Sequence, residues 1–342
     1  MKLISAIEYK THKKLTIGKI IARFFAIFGI IIAAILALGL GAMAILINGP
    51  SNKAKNIFVT TCMETSFAKY FPPMYLSQEQ ISEIMEGNSV VPTNDVTNTN
   101  TSFEKPPEDV AKKQPDTEIF DVKGPTFKGR MTIVKNPAKV SVIAPVHLGK
   151  DGDGEKLVDM MKRTNAIIGV NGGGFLDEGG MGNGGIPLGV VVENGVFRFG
   201  DGCGMTNVIG FDKNNVLHVG FMNSKQIKER SIRDAVTFGP PLIVNSVPTK
   251  TIGNGGGLNP RTAIGQRKDG SVLLLAIDGR QPHSLGASYK DLVDVMQKFG
   301  AVNAGNLDGG SSSMMIYKGQ AQTESVSIYG ERKIASGFIV KP

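Results

Sequence analysis

The chain has 342 residues, 41% of them hydrophobic and 20% charged, which is enough for one large or two ordinary domains around a sizeable core. Its net charge of +8 is concentrated at one end: Lys2, Lys10, Lys13, Lys14, Lys19 and Arg23 face only Glu8 ahead of residue 24, and no basic stripe with interleaved aromatics follows, so no nucleic-acid partner is expected. Two cysteines, Cys62 and Cys203, exclude a disulfide-rich scaffold or a Cys-ligated metal, and His12, His147, His218 and His283 lack ligand spacing.

Residues 24–47 carry no charge and are almost wholly apolar. As a helix they extend about 36 Å, enough to cross a hydrocarbon core of about 30 Å with some tilt. A cleaved signal peptide ending near Ala42-Met43-Ala44 is the rival reading, but the long apolar run and the 23-residue basic region favour an uncleaved signal anchor. The positive-inside rule keeps residues 1–23 in the cytoplasm and sends the rest out, giving a single-pass cell-membrane protein with an extracellular body. Residues 48–87 form a membrane-proximal segment with a helix starting after Ser77. Residues 88–116, rich in Asn, Thr, Pro and charge, read as a flexible linker, and a globular domain occupies 117–342.

Within that domain, residues 131–134 and 140–144 read as paired strands about Asn136-Pro137, 154–163 as helix and 166–170 as a buried strand. An Asn194-Gly195 hairpin follows, joining 188–192 to 196–199. Further strands are expected near Val208, Leu217, Ala235 and Leu242 and over 334–340. Many strands and few helices indicate an α+β fold with an extended, mostly antiparallel sheet. Asp151-Gly152-Asp153-Gly154 reads as a surface turn, because the EF-hand glycine position holds Lys156. Phosphate-loop and nucleophile-elbow patterns are absent.

Most of the candidate chemistry lies between residues 259 and 315. Strands 262–266 and 271–277 flank the turn Arg267-Lys268-Asp269-Gly270, and aligning them sets Arg261 beside Ile277 and Asp278, with Arg280 two residues on. Ser288 with Asp291 reads as a helix start, and Gly300 as its stop. The chain then reaches Asn306-Leu307-Asp308-Gly309-Gly310-Ser311, where glycines allow an anion-binding nest beside the Asp308 carboxylate. Upstream, Asn171-Gly172-Gly173-Gly174-Phe175 follows a buried strand, and Asn171 offers a donor and an acceptor to a sugar. Glycine clusters at 179–185 and 253–257 read as loops, the first at the rim of the site and the second as ordinary surface.

The ordered set NGGGF, NPRTAIG, DGR, NLDGGSSS and GERKIASG resembles the phosphodiester glycosidase family, whose mammalian member is the uncovering enzyme N-acetylglucosamine-1-phosphodiester α-N-acetylglucosaminidase. One departure is Ser336, where the family pattern leads us to expect asparagine. The resemblance implies cleavage of a sugar 1-phosphodiester, in which the departing phosphate needs little acid help and a carboxylate activates water or stabilises the oxocarbenium-like centre. Asp308 and Asp278 are the first candidates for that carboxylate and Glu331 the third; Arg261 and Arg280 are expected to grip the phosphodiester. Asn171, Gly172, Gly173, Asn306, Gly309, Gly310 and Ser311 are the candidate substrate-binding residues. The sequence requires no cofactor, but Asp278 and Asp308 as oxygen ligands for Ca²⁺ or Mg²⁺ leave a metal-dependent phosphodiesterase open. Asp278 and Arg280 are also placed to form a purely structural ion pair, and the domain as a whole is compatible with a non-catalytic cell-surface glycan-binding scaffold.

Overall fold

The computed structural model describes residues 16–99, 103, 116–324 and 330–342. They fall into two compact units, divided between Lys55 and Asn56. The first is dominated by helix α1 (Ile17–Asn48), whose mean hydropathy of 2.9 makes it long and apolar enough to cross a membrane. Helix α2 (Asn52–Met63) straddles the division, and α3 (Gln78–Glu86) follows with the expected start: Ser77 accepts from the Gln80 amide while the Gln80 side chain accepts from the Ser77 N–H.

The second unit is α+β, with antiparallel strands in three principal sheets. A seven-stranded sheet runs in the order Thr117–Lys123, Lys128–Val134, Val272–Ile277, Arg261–Arg267, Ala301–Leu307, Pro241–Val244, Val247–Pro248. A second sheet is built around Ile232–Thr237 and Thr206–Asp212, and includes the Asn194-Gly195 hairpin, whose turn residues take φ of 50° and 78°. The third is ordered Gln320–Ala321, Met315–Tyr317, Ile168–Asn171, Gly337–Val340, Val140–Ile143. One core cluster draws on all three sheets, through Leu274, Ile209 and Phe338 among others. Helix α4 (Leu157–Thr164) covers the third sheet with Leu157 and Met160, α5 (Ser224–Glu229) the second with Ile227, and α6 (Tyr289–Lys298) the first with Leu292 and Met296.

Two expectations change. The strands about Asn136-Pro137 do not pair: Lys128–Val134 pairs with Val272–Ile277 and Val140–Ile143 with Gly337–Val340, so the turn carries the chain from one sheet to another. Residues 131–134 and 140–143 are buried throughout and must cover both faces, which a local hairpin cannot supply. The start of the expected linker is strapped onto the domain. Asn88 bonds the 253–257 loop, Val96 bridges to Gly220, and the buried Thr97 hydroxyl bonds Asn303, so distant polar partners hold a segment with little apolar surface. Residues 100–102 and 104–115 lie outside the described residues.

The site is placed by strand ends. Arg261 pairs with Ile277 and Thr262 with Leu307, so the start of one strand lies beside the ends of two others, from which Asp278-Gly279-Arg280 and Asp308-Gly309-Gly310 emerge. The hairpin register is the one the sequence predicts. Asn171, ending its own strand in the third sheet, reaches the same point through its side chain: Nδ2 donates to the Asp308 carbonyl at 2.6 Å.

Candidate active site

A pocket of about 470 Å³ opens at these strand ends, lined by Asp308, Gly309, Gly310, Ser311, Arg261 and Arg280 from the sequence-predicted set, and by Glu64, Asp177, Asn259, Tyr289, Phe175, Phe238 and Arg332. Asp308 is held from behind. Its amide donates to the Gly172 carbonyl at 3.0 Å, its carbonyl accepts from Asn171, and its carboxylate accepts the Gly309 N–H at 2.9 Å. Enclosure by protein pushes its carboxyl up to about 6, and the charge of Asp177 adds to the rise; the Ser312 hydroxyl, the Gly309 N–H and Arg332 pull the other way without cancelling it.

Arg332 is committed to Asp177 by two hydrogen bonds of 2.8 Å, donates to the Ser311 hydroxyl at 3.0 Å and lies over the Phe175 ring. Burial alone would raise Asp177, but the Arg332 hydrogen bonds, the Gly182 N–H and the Arg332 charge outweigh it and hold its carboxyl below the ordinary value. Asp177 stays ionised where Asp308 titrates near neutrality. Two carboxylates with such different settings in one pocket can take different parts in a reaction.

Arg261 is buried and fully engaged. Its Nε donates to the Ala287 carbonyl at 3.2 Å, one terminal nitrogen bonds Glu64 at 2.7 Å and the Gly257 carbonyl at 3.0 Å, and the guanidinium stacks 3.9 Å from the Tyr289 ring centroid. Arg280 differs. It is exposed on the pocket rim, adopts a left-handed φ of 57°, and donates to Asn259 Oδ1 at 2.9 Å, with no carboxylate paired to it among the described residues. Although the residue is exposed at the rim, the pocket walls around its guanidinium and then the neighbouring Arg261 charge lower its proton affinity, and Glu64 partly restores it.

The other predicted residues sit elsewhere. Asn171 spends its amide on the scaffold, donating to the Asp308 carbonyl and accepting from Thr262 Oγ and the Met314 N–H. Gly172 and Gly173 pack against Ser336 and Thr237: a Cβ on Gly172 would lie 2.6 Å from Ser336 Oγ, and one on Gly173 2.7 Å from the Thr237 carbonyl. Ser336, the departure from the expected asparagine, is buried, and its hydroxyl accepts the Gly173 N–H at 2.9 Å. The glycines are therefore explained by backbone packing beneath the pocket. Asn306 is buried with its Nδ2 on the Gly239 carbonyl.

Neither Asp278 nor Glu331 lines the pocket. Asp278 accepts from the Glu324 N–H at 2.7 Å, and Glu331 accepts from the Val158 N–H in the first turn of α4, a favourable place for a carboxylate. The Asp278–Arg280 ion pair is not formed, because Arg280 turns to Asn259. Among the described residues, no three His, Cys, Asp or Glu side chains converge as a metal-ligand group. The 253–257 loop, expected to be ordinary surface, packs on Asn88 and α2, and its Gly257 N–H donates to Glu64 at 2.8 Å. Asp177 had a sequence signal in its place at the head of the rim glycine cluster; Glu64 had none.

An antiparallel α+β fold carrying an acid-and-guanidinium pocket on its strand ends defines the class of protein. The family model described as phosphodiester glycosidase matches residues 164–341, a span holding Asp177, Asn259, Arg261, Arg280, Asp308 and Arg332. The chain belongs to the phosphodiester glycosidase family. A curated relative, the SPbeta prophage-derived uncharacterized protein YomE of Bacillus subtilis (strain 168), is 28% identical over 176 residues, 48% of this chain and 26% of the relative. The match thus spans about a quarter of that protein's length. Among solved structures, the zebrafish N-acetylglucosamine-1-phosphodiester alpha-N-acetylglucosaminidase catalytic domain, auto-inhibited by pro-peptide, superposes with a TM-score of 0.57 at 20% identity, covering 72% of this chain and 88% of that one. That likeness is one of fold.

Proposed function

We propose that this chain is an exported, membrane-anchored hydrolase that cleaves sugar 1-phosphodiester linkages in cell-envelope or extracellular polysaccharide. Family membership supports the reaction, and α1 after a basic tail supports the anchor, with its N-terminus cytoplasmic and the second unit extracellular. One observation carries the reading. Of the pocket's acids and guanidiniums, Glu64 is bound to Arg261 and Asp177 to Arg332, which leaves the carboxylate of Asp308 and the guanidinium of Arg280 without an ion-pair partner among the described residues. A glycosyl phosphodiester needs those two charges: a cation for the phosphate and an anion facing the sugar carbon.

In the proposed reaction the bond between the anomeric carbon and the phosphate oxygen breaks, and the phosphate monoester leaves with the electron pair. Arg280 holds the phosphate, and the Gly309–Gly310 backbone lets it approach closely: a Cβ on Gly310, where φ is +60°, would stand 3.3 Å from the Arg280 guanidinium. Asp308, with its carboxyl at about 6, is mostly ionised at neutral pH and takes a proton from the water that adds to the sugar carbon. Asp177 keeps Arg332 in place beside Ser311 and Asp308.

The test incubates the full chain in detergent with UDP-N-acetylglucosamine and simple N-acetylglucosamine, glucose and galactose 1-phosphodiesters, with and without chelator, and measures released sugar. Release that persists in chelator and disappears in Asp308→Asn is expected. No release from folded protein across these sugars would overturn the reading, and release abolished by chelator and restored by Ca²⁺ or Mg²⁺ would replace it with a metal-dependent phosphodiesterase.

A further inference from the structure

The family match begins at residue 164, yet one carboxylate of the pocket wall comes from residue 64, just after α2. Glu64 is tied to the loop and strand that carry the cationic half of the pocket. Its Oε1 accepts the Gly257 N–H at 2.8 Å, and its Oε2 accepts from Asn259 Nδ2 at 2.8 Å and from Arg261 at 2.7 Å. One turn earlier, Thr61 Oγ accepts the Leu258 N–H at 2.9 Å.

These bonds fix the orientation of the Asn259 amide. A carboxylate can only accept, so it requires the NH₂ end; a guanidinium can only donate, so Arg280 requires the oxygen. Asn259 meets both at once, with Nδ2 on Glu64 and Oδ1 on Arg280 at 2.9 Å. The result is a relay from Glu64 through Asn259 to Arg280. Arg280 needs such support because it sits in the left-handed region and beside a second guanidinium, that of Arg261.

We propose that Glu64 is a positioning residue of this active site: a carboxylate supplied from outside the family-matched region aims Arg280 at the phosphate through Asn259 and offsets the repulsion between Arg261 and Arg280. The inference rests on the assignment of the pocket to glycosyl phosphodiesters. Glu64 acts as wall rather than plug, since it bonds the buried Arg261 and leaves a cavity of about 470 Å³ open beside it. Glutamine at this position keeps a single acceptor, so in either orientation its NH₂ faces a donor, the Gly257 N–H or the Asn259–Arg261 pair, and it removes the negative charge that offsets the two guanidiniums.

The experiment measures two quantities on the full-length protein: the Kd of inorganic phosphate by calorimetry, which does not depend on turnover, and kcat and KM on a sugar 1-phosphodiester. Glu64→Gln is expected to raise the phosphate Kd and KM together by about 10- to 100-fold, the usual scale for losing a hydrogen bond to a charged group, with a smaller change in kcat. Asn259→Leu, cutting the relay one bond further on while keeping the Glu64–Arg261 pair, should give the same loss. In a double-mutant cycle with Arg280→Ala, the Glu64 effect should vanish, because its route to the ligand has been removed. Thr61→Val, which removes only the neighbouring tether, should leave phosphate affinity unchanged.

Unchanged phosphate affinity in Glu64→Gln, effects of Glu64→Gln and Arg280→Ala that simply add, or a gain in affinity on removing the carboxylate would each overturn the proposal. The last would make Glu64 an internal competitor for the anion site. Wild-type protein that binds phosphate through the relay but releases no sugar would instead refute the glycosidase assignment and leave the relay standing.

Discussion

Asp308→Asn should move activity and stability in opposite directions. In the folded chain the carboxyl titrates at about 6 against an ordinary value of 3.8. Between those values the folded protein still holds a proton that the unfolded chain has released, so raising the pH through this window weakens folding, and above about 6 the penalty is complete. Converted to free energy, the shift is about 3 kcal/mol at neutral pH. Asparagine never ionises, so it removes the penalty, although its NH₂ replaces one acceptor oxygen beside the Gly309 N–H and the Ser312 hydroxyl and its neutral oxygen accepts more weakly than a carboxylate. The net gain should fall between about 1 and 3 kcal/mol at pH 7, a rise in Tm of roughly 2–8 °C. It should shrink to a fraction of this at about pH 4 and disappear by about pH 3, where the wild-type carboxyl is protonated in both states. Sugar release should drop at least about 100-fold. Melting followed by circular dichroism at pH 4 and pH 7, beside the hydrolysis assay, checks both. A variant that loses stability at pH 7 would refute the desolvated carboxylate, and one that keeps near-normal turnover would refute its role as base.

Arg280→Gly should raise KM by about 10- to 100-fold without destabilising the protein, because Arg280 is exposed and glycine relieves a φ of 57°; kinetics and a melting curve test this together. Asp177→Asn removes the anion that raises Asp308 and frees Arg332 to act on it, so the acid limb of the kcat/KM profile, expected near pH 6 in the wild type, should move to lower pH. Asp278→Asn and Glu331→Gln should each keep activity within a few-fold of wild type in the same assay, since neither side chain lines the pocket. A phosphate monoester, carrying nearly twice the charge of the diester at pH 7, should bind Arg280 more strongly than substrate and inhibit competitively, an effect that weakens as salt is raised in steady-state kinetics.

What the sequence disclosed and what it withheld follow from the range of the interactions. The 261–277 hairpin, the Ser288 cap and the Asn194-Gly195 turn are set by neighbouring residues, and their register or capping appears as expected. Asp308 and Arg280 were legible because glycines and a strand end flank each of them. Arg261 and Asn171 were legible as important but not in role: nothing local shows that Arg261 is consumed by Glu64, or Asn171 by Thr262 and the Asp308 backbone. The strap at Thr97 finds its partner 206 residues away, so its polar composition alone reads as linker, and Glu64, in the segment read as membrane-proximal, bonds an arginine 197 residues away.

The same long-range pairing accounts for the chemistry of the pocket. Among the described residues, three guanidiniums and three carboxylates line it, and if all were paired its reactive charge would be cancelled. Geometry prevents this. Arg332 is taken by Asp177 across two hydrogen bonds, and Arg261 is locked between Tyr289 and Glu64, so neither guanidinium forms an ion pair with Asp308 and neither carboxylate forms one with Arg280. Asp308 cannot turn away, because Asn171 and Gly172 hold its backbone. An unpaired carboxylate and an unpaired guanidinium, on loops from the two strand ends that flank the start of Arg261–Arg267, are costly for the fold, and that cost is expressed in the raised carboxyl of Asp308 and the left-handed backbone of Arg280. Strain and charge retained at Asp308 and Arg280, with the neighbouring charges of Glu64, Arg261, Asp177 and Arg332 neutralised in pairs, do nothing for stability and are what the proposed reaction requires of those two groups.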